Sequence, residues 1–377
     1  MKRMLFDANP LVSNNKSGIG YLTERLIDSL ARTHPDNLEL VGHYFNFLGS
    51  KDTSHLPARP NLRYKSTTLV PTKLLNILRR IGIELPYELF ARTKADIVLF
   101  PNFVSMPTSK YKVSVVAVHD LSFIDCPEFV SEKNASYLRK WVPVSVKRAD
   151  IVLTISEFTK SRIMNAYNVP ENKIHVMPVP PGTKAKADGS VFAKHSINNP
   201  YILFVGTMEP RKNIETLLSA YEKLPPQIKQ THALILVGGK GWKDGAIRAK
   251  IADLQKSEHN IICTGYVTEE EKSALYEKAT ICIQPSHYEG FGMPILEAMN
   301  YGKPVICSDI DVFHEVAGDA AIYFDTKSSD DLTNKIQQII SDPAQLSALS
   351  QKALARITSV PGWDTVANDL YDRITTN

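Results

Sequence analysis

Short apolar runs rich in Val and Ile, separated by stretches of helical periodicity, constrain this chain more than any other feature. In the first half they are Met4–Phe6, Leu38–His43, Ile97–Phe100, Val113–Val118, Ile151–Ile155 and Ile174–Val176. In the second half they are Tyr201–Val205, Ala233–Val237, Ile261–Cys263, Ile281–Ile283, Val305–Cys307 and Ala321–Phe324. Many are apolar throughout rather than alternating, which fits strands covered on both faces of a parallel sheet. Helical patterns fall between them, among them Gly20–Ala31, Asn213–Lys223, Glu269–Lys278 and Pro294–Asn300. Alternation of this kind predicts α/β, doubly wound parallel-sheet domains.

A chain of 377 residues is too long for one ordinary core. The break falls after MPVPPGT at Met177–Thr183, where prolines appear and periodicity is lost up to Pro200. The expected organisation is one Rossmann-like domain over residues 1–182, a linker over 183–199, and a second over 200–359. Ligands in such sheets bind at the carboxyl ends of the strands, so the cleft between the domains is the expected site.

No apolar run approaches the roughly 18 residues a membrane span requires. Lys2 and Arg3 precede only a short apolar stretch, too short for a signal-peptide core. The expected location is the cytoplasm. Cys126, Cys263, Cys282 and Cys307 form no CxxC pair, so they read as reduced core residues. Charge is uneven: residues 1–182 hold 24 basic and 16 acidic side chains, residues 183–377 hold 20 and 24. A basic first half fits an anionic acceptor or membrane surface, and equally an ordinary solvated face. Nothing points to nucleic acid.

The segment richest in chemistry is YEGFGMPILEAMNY at Tyr288–Tyr301. Gly290 and Gly292 allow a tight turn and close approach to a ligand. With Pro294 opening a helix, the amides of Gly290, Phe291, Gly292 and Met293 would face an anion such as a diphosphate. Glu297, expected in the first helical turn, suits two vicinal ribose hydroxyls. Its plain alternative is complementing the helix dipole, with Glu289 merely solvated. Arg211 and Lys212 follow a buried strand and Gly206, and a cation pair there suits a leaving diphosphate. Gly18 and Gly20 open a helix after the first strand, a weak start to a dinucleotide motif whose third position is Thr23. His119 and Asp120 end a strand, a good place for a site, although a lone histidine is more often structural. Asp309 and Asp311 form a D-x-D that reads as coincidental.

Glu289 and Glu297 have the E-x7-E spacing of the retaining glycosyltransferases of family 4, which the chain resembles over most of its length. SGIG at Ser17–Gly20, HDLSF at His119–Phe123 and RADIVLTISEFTK at Arg148–Lys160 extend the resemblance. So do VGTMEPRKN at Val205–Asn213 and LVGGKGW at Leu236–Trp242. The resemblance implies the GT-B fold, two facing Rossmann-like domains with the helix over 360–377 packed back on the first. It implies a nucleotide-sugar donor on the second domain and an acceptor on the first. The base would lie near Gly265, Tyr266 and Val267, the ribose on Glu297, the diphosphate on Arg211, Lys212 and the Gly290–Gly292 loop, and the sugar on Glu289 and His119. Neither a cofactor nor a metal is implied.

EPRKN resembles a branch of bacterial mannosyltransferases that build surface polysaccharides, so GDP-mannose is the first expectation, with UDP- and dTDP-sugars open. A nucleotide-sugar epimerase or a non-catalytic nucleotide-sugar-binding protein of the same fold is the alternative. Departures from the commonest family pattern are Thr207, where an Arg is usual, and Tyr21 after GIG. TKLLNILRRIG at Thr72–Gly82 carries Leu74, Leu75, Leu78 and Ile81 at helical spacing beside Lys73, Arg79 and Arg80. Such a stripe fits peripheral contact with an anionic membrane and a lipid-linked saccharide acceptor; packing on its own sheet is the other reading.

Overall fold

The computed structural model describes residues 1–12, 17–49, 51, 53, 55–109, 111–257 and 259–376. The side chains of Thr72, Lys73, Asn76 and Arg80 lie outside the described part. The chain divides into two compact units. One comprises residues 1–124, 133–179 and 361–377; the other comprises 125–132 and 180–360.

The first unit is a seven-stranded parallel sheet. Its strands are β1 (Lys2–Asp7), β2 (Leu38–Phe45), β3 (Leu62–Thr67), β4 (Ile97–Phe100), β5 (Val113–Ala117), β6 (Ile151–Thr154) and β7 (Ile174–Val176). Their spatial order is β3-β2-β1-β4-β5-β6-β7. All four residues of β4 and of β6 are buried, as double-faced coverage requires. The helix Trp363–Thr375 returns to this unit and lies on the helix Gly18–Thr33. It buries Val366, Ala367, Leu370 and Ile374. Asp364 accepts from Ser29 Oγ at 2.7 Å and from Arg32 Nη1 at 2.6 Å, and Tyr371 stacks on His34 at 3.7 Å.

The second unit is a six-stranded parallel sheet in the order β10-β9-β8-β11-β12-β13. Its strands are β8 (Tyr201–Val205), β9 (Ala233–Val237), β10 (Ile261–Gly265), β11 (Ile281–Gln284), β12 (Val305–Ser308) and β13 (Ala321–Phe324). Ile202, Phe204, Leu217, Leu218, Leu234 and Ile306 are fully buried in its core. Burial of one such side chain contributes about 1.5–3 kcal/mol.

Three expectations need correction. Residues 183–199 are not a free linker: they carry the helix Ser190–Lys194, bury Val191 and join the second unit through Lys194 Nζ to Glu271 Oε1 at 2.8 Å. Residues 125–132 also cluster with the second unit, where Tyr288 donates to Asp125 Oδ2 at 2.9 Å and Phe129 stacks on His287 at 4.9 Å. Cys263 is exposed, because β10 is an edge strand, whereas Cys126, Cys282 and Cys307 are buried.

Candidate active site

In the second unit, glycines bring two loops together at the carboxyl ends of β8 and β9. Gly238 has φ +148°, and a Cβ there would lie 2.0 Å from the Gly206 carbonyl oxygen. A Cβ on Gly241 would lie 2.1 Å from the Met208 carbonyl oxygen. No side chain fits either gap, so the GGKG run is needed for the loop after β8 to close. That loop ends in a 3-10 turn, Pro210–Lys212, and Asn213 at φ 53° starts the helix Ile214–Lys223. Arg211 and Lys212 therefore sit just before the helix rather than in its first turn.

The turn presents both cations to one carboxylate. Arg211 Nη1 donates to Glu289 Oε2 at 2.6 Å, and Lys212 Nζ to Glu289 Oε1 at 2.5 Å. Ser286 Oγ adds a bond to Oε1 at 2.8 Å. Glu209 closes the group by accepting from Arg211 Nη2 at 2.7 Å and from Trp242 Nε1 at 2.7 Å. Glu289 is buried at 7 % exposure. Burial opposes its ionisation, but Arg211 and then Lys212 outweigh it and hold the carboxyl at about 2. It is a fixed anion with both oxygens engaged, not a poised base. Sequence reading separated these three residues between sugar and diphosphate; folding gathers them.

Glu297 lies on the helix Met293–Asn300, one turn deeper than expected, since the first turn holds no acid. Dipole complementation therefore does not account for it. It accepts from Tyr276 OH at 3.0 Å and Lys272 Nζ at 3.2 Å. Burial works against the Lys272 charge, but Glu297 and Glu269 prevail and raise its pKa. Neither Lys272 nor Tyr276 belongs to a motif in the sequence. Their four-residue spacing on the Thr268-capped helix Glu269–Lys278 was the available signal. That helix begins directly after Gly265, Tyr266 and Val267, of which Tyr266 is exposed and Val267 buried. Gly265 has φ +72°, and its carbonyl accepts from Gly238 N at 2.9 Å, tying this turn to the glycine loop.

The Tyr288–Gly292 loop is more enclosed than its sequence implies. Gly290, Phe291 and Gly292 are buried, and Met293 is partly open. Gly292 has φ +116° beside the Phe313 ring, a conformation and a space that exclude a side chain. Pro294 is the second helical residue, after Met293. Asp309 accepts from His314 Nε2 at 2.6 Å, and Asp311 opens the helix Asp311–Ala317, so the D-x-D pair serves local structure.

In the first unit, Gly18 and Gly20 form the opening of a helix whose cap, Ser17 Oγ, accepts from Gly20 N at 3.4 Å. His119 follows β5 and donates from Nε2 to the Pro101 carbonyl at 2.7 Å. Burial lowers its pKa despite that bond and the nearby Asp120. The ring is thus neutral, with Nδ1 as an acceptor. Asp120 Oδ1 takes bonds from Ser122 N at 2.9 Å and Oγ at 2.7 Å, a loop-orienting role.

Two Rossmann-like parallel-sheet units with this paired-carboxylate segment define a glycosyltransferase of GT-B fold. Residues 190–356 match the model "Glycosyl transferases group 1", and residues 23–180 match "Glycosyltransferase Family 4". The chain is 35% identical over 263 residues to O-antigen chain mannosyltransferase B of Escherichia coli, covering 68% of each. It is 33% identical over 227 residues to the O-antigen chain mannosyltransferase RfbU of Salmonella typhimurium, covering 59% of this chain and 61% of RfbU. Among solved structures, sucrose-phosphate synthase from Thermosynechococcus elongatus aligns over the full length of both chains with TM-score 0.75 and 19% identity. WaaG, a glycosyltransferase of lipopolysaccharide biosynthesis, does so with TM-score 0.71 and 15% identity. The chain belongs to the group 1, family 4 glycosyltransferases and is a hexosyltransferase of polysaccharide biosynthesis. Membership implies a nucleotide-sugar donor and a saccharide acceptor.

Proposed function

We propose that this chain transfers mannose from GDP-mannose to a saccharide or lipid-linked saccharide acceptor, with retention and without a metal ion. The observation that carries this reading is the clamp of Arg211 and Lys212 on Glu289, eight residues before Glu297. The names of two relatives, both O-antigen chain mannosyltransferases, support the sugar. Donor diphosphate would take over the two cations, which then stabilise the charge that grows on the leaving group. Glu289, turned to the sugar hydroxyls, would position the hexose, and Glu297 would hold the ribose. Glu289, held at a pKa of about 2 with both oxygens engaged, is a poor nucleophile. Front-face attack follows, with the leaving phosphate oxygen taking the acceptor proton.

A thermal-shift screen of GDP-, UDP- and dTDP-sugars tests the donor, because a ligand selective for the native state raises its stability. Selective stabilisation by GDP-mannose is expected, with turnover that survives EDTA. Preference for a UDP- or dTDP-sugar would replace the donor, and consumption of donor without acceptor to give an epimer would replace the reaction. Glu297→Ala should weaken nucleotide binding by about 1–3 kcal/mol, since two hydroxyls lose a charged acceptor. Calorimetry showing wild-type affinity in the folded variant would remove Glu297 from the ribose site.

Location follows the same reading. Among the described residues no helix is long and apolar enough to cross a membrane. The helix Thr72–Arg80 and the turn after it nevertheless expose Leu74, Ile77 and Ile81, while Leu75 and Leu78 are half-buried. Arg79 is not a surface cation: it bonds Tyr137 OH and the Ser105 carbonyl, both at 2.9 Å, and lies over Trp141. Peripheral attachment then rests on the exposed apolar residues and on cations elsewhere in the unit. Sedimentation with anionic vesicles should show binding at low salt that fades at high salt; no binding at low salt would dispose of it.

A further inference from the structure

The helix Glu269–Lys278 turns two side chains towards Glu297, and both are recessed: Tyr276 is 1 % exposed, and the Lys272 side chain 20 %. A buried phenol keeps its proton and needs an acceptor. Burial, and then Glu297, push the Tyr276 pKa well above its ordinary value. The acceptor is Glu297 Oε2 at 3.0 Å. The ring is held as well, because Tyr301 stacks on it at 5.5 Å and 12° and donates in turn to Ser273 Oγ at 2.6 Å. The Tyr276 hydroxyl therefore stands at a fixed point.

Lys272 Nζ fixes the other oxygen. It lies 3.2 Å from Glu297 Oε1 and 3.0 Å from Glu269 Oε1. Glu269 stands three residues earlier on the same helix, so it steadies the ammonium from its own turn. Two carboxylates share one ammonium, and the group keeps a negative charge. Among the described residues, each Glu297 oxygen thus has one side-chain donor. A carboxylate oxygen can accept two hydrogen bonds, so one acceptor position stays open on each. Two open positions on a carboxylate held at both oxygens match the two hydroxyl donors of a vicinal diol. A phosphate in the same place would be repelled.

We propose that Tyr276 and Lys272 are positioning residues that orient Glu297 towards the 2′- and 3′-hydroxyls of the donor ribose, and that they thereby make the enzyme selective for ribonucleotides over 2′-deoxyribonucleotides. This role rests on the reading of Glu297 as the ribose ligand and adds the origin of its selectivity. A carboxylate free to rotate turns to whichever hydroxyl remains. A fixed one loses a bond that nothing replaces when the 2′-hydroxyl is missing. The same selectivity sets dTDP-sugars, which lack that hydroxyl, apart from GDP- and UDP-sugars.

Calorimetry of the full chain with GDP, UDP and their 2′-deoxy forms tests this. Wild type should bind the better ribonucleotide about 10-fold or more tightly than its 2′-deoxy form. Tyr276→Phe keeps the stacked ring and removes only the hydroxyl, and Lys272→Met carries the same test on a part-exposed side chain. Each should weaken the ribonucleotide by about 5–10-fold and leave the 2′-deoxy form within about twofold. Added to Glu297→Ala, Tyr276→Phe should change neither affinity further, since the two act through one group. Full discrimination in both Tyr276→Phe and Lys272→Met, with discrimination lost in Glu297→Ala, would overturn the positioning role and leave the ribose site standing. An equal loss for both forms with a lowered unfolding temperature would also overturn it, since the two residues would then serve packing. Wild type and Glu297→Ala that each bind both forms alike would overturn the ribose site and the positioning role with it. A wild type that binds neither GDP nor UDP would overturn the donor reading as well.

Discussion

Glu289→Ala should cut turnover by about 100-fold or more while leaving nucleoside diphosphate binding equal to or tighter than wild type. The charges around it explain the split. Arg211 and Lys212 are balanced by Glu209 and Glu289 within one hydrogen-bonded group, so an incoming diphosphate competes with an anion already in place. Removing Glu289 frees a cation pair for the diphosphate and takes away the group assigned to the sugar. Calorimetry with the nucleoside diphosphate and steady-state kinetics with the nucleotide sugar separate the two effects. Because burial is outweighed by Arg211 and Lys212 and the carboxyl sits at about 2, Glu289 should contribute no ionisation to the pH–rate profile between about pH 4 and 9. Its pairing stabilises the fold above the usual carboxylate range and is lost only as the pH falls towards 2. Wild-type turnover in a folded Glu289→Ala protein would end the assignment.

The fold was readable because it is written in period and composition. Buried parallel strands need apolar runs, and all but one of the strands appear as such in the sequence. The exception, β3, reads LRYKST and buries only Leu62 fully. It is an edge strand with a largely open face, so nothing in its composition separates it from a loop. The same edge effect misplaced Cys263 on β10. The segment 183–199 looked like a linker because its contacts, Lys194 with Glu271 and Asp188 N with the Glu270 carbonyl, come from distant residues.

Site residues divide along the same line. Glu289, Glu297 and the glycines stand in one segment with a fixed spacing, so the sequence exposed them. The partnership of Glu289 with Arg211 and Lys212 spans about eighty residues of chain and depends on β8 and β11 being neighbours in the sheet. Lys272 and Tyr276 look like ordinary helix-surface residues until the helix is set against Met293–Asn300.

Lys212→Ala should lower kcat by about 100-fold, near 3 kcal/mol, and change the donor KM by much less. The reasoning turns on when charge appears. On the proposed reading the bound donor already carries diphosphate charge, which Arg211 and the loop amides would share with Lys212. As the glycosidic bond breaks, a further negative charge collects on the leaving oxygen, and an ammonium in a nearly dry site gains most at that moment. Lys212 has the means to follow it. Its flexible stem ends in a single bond to Glu289, whereas Arg211 is tied to Glu209, Glu289 and the Tyr288 carbonyl. Arg211→Ala should therefore disturb the shape of the site and raise KM along with lowering kcat, because it anchors the loop that carries Glu289. Lys212→Ala should leave that anchor intact. A Lys212→Ala effect confined to KM, measured under donor-saturating and donor-limiting conditions, would make Lys212 a ground-state binder and move the catalytic charge to Arg211.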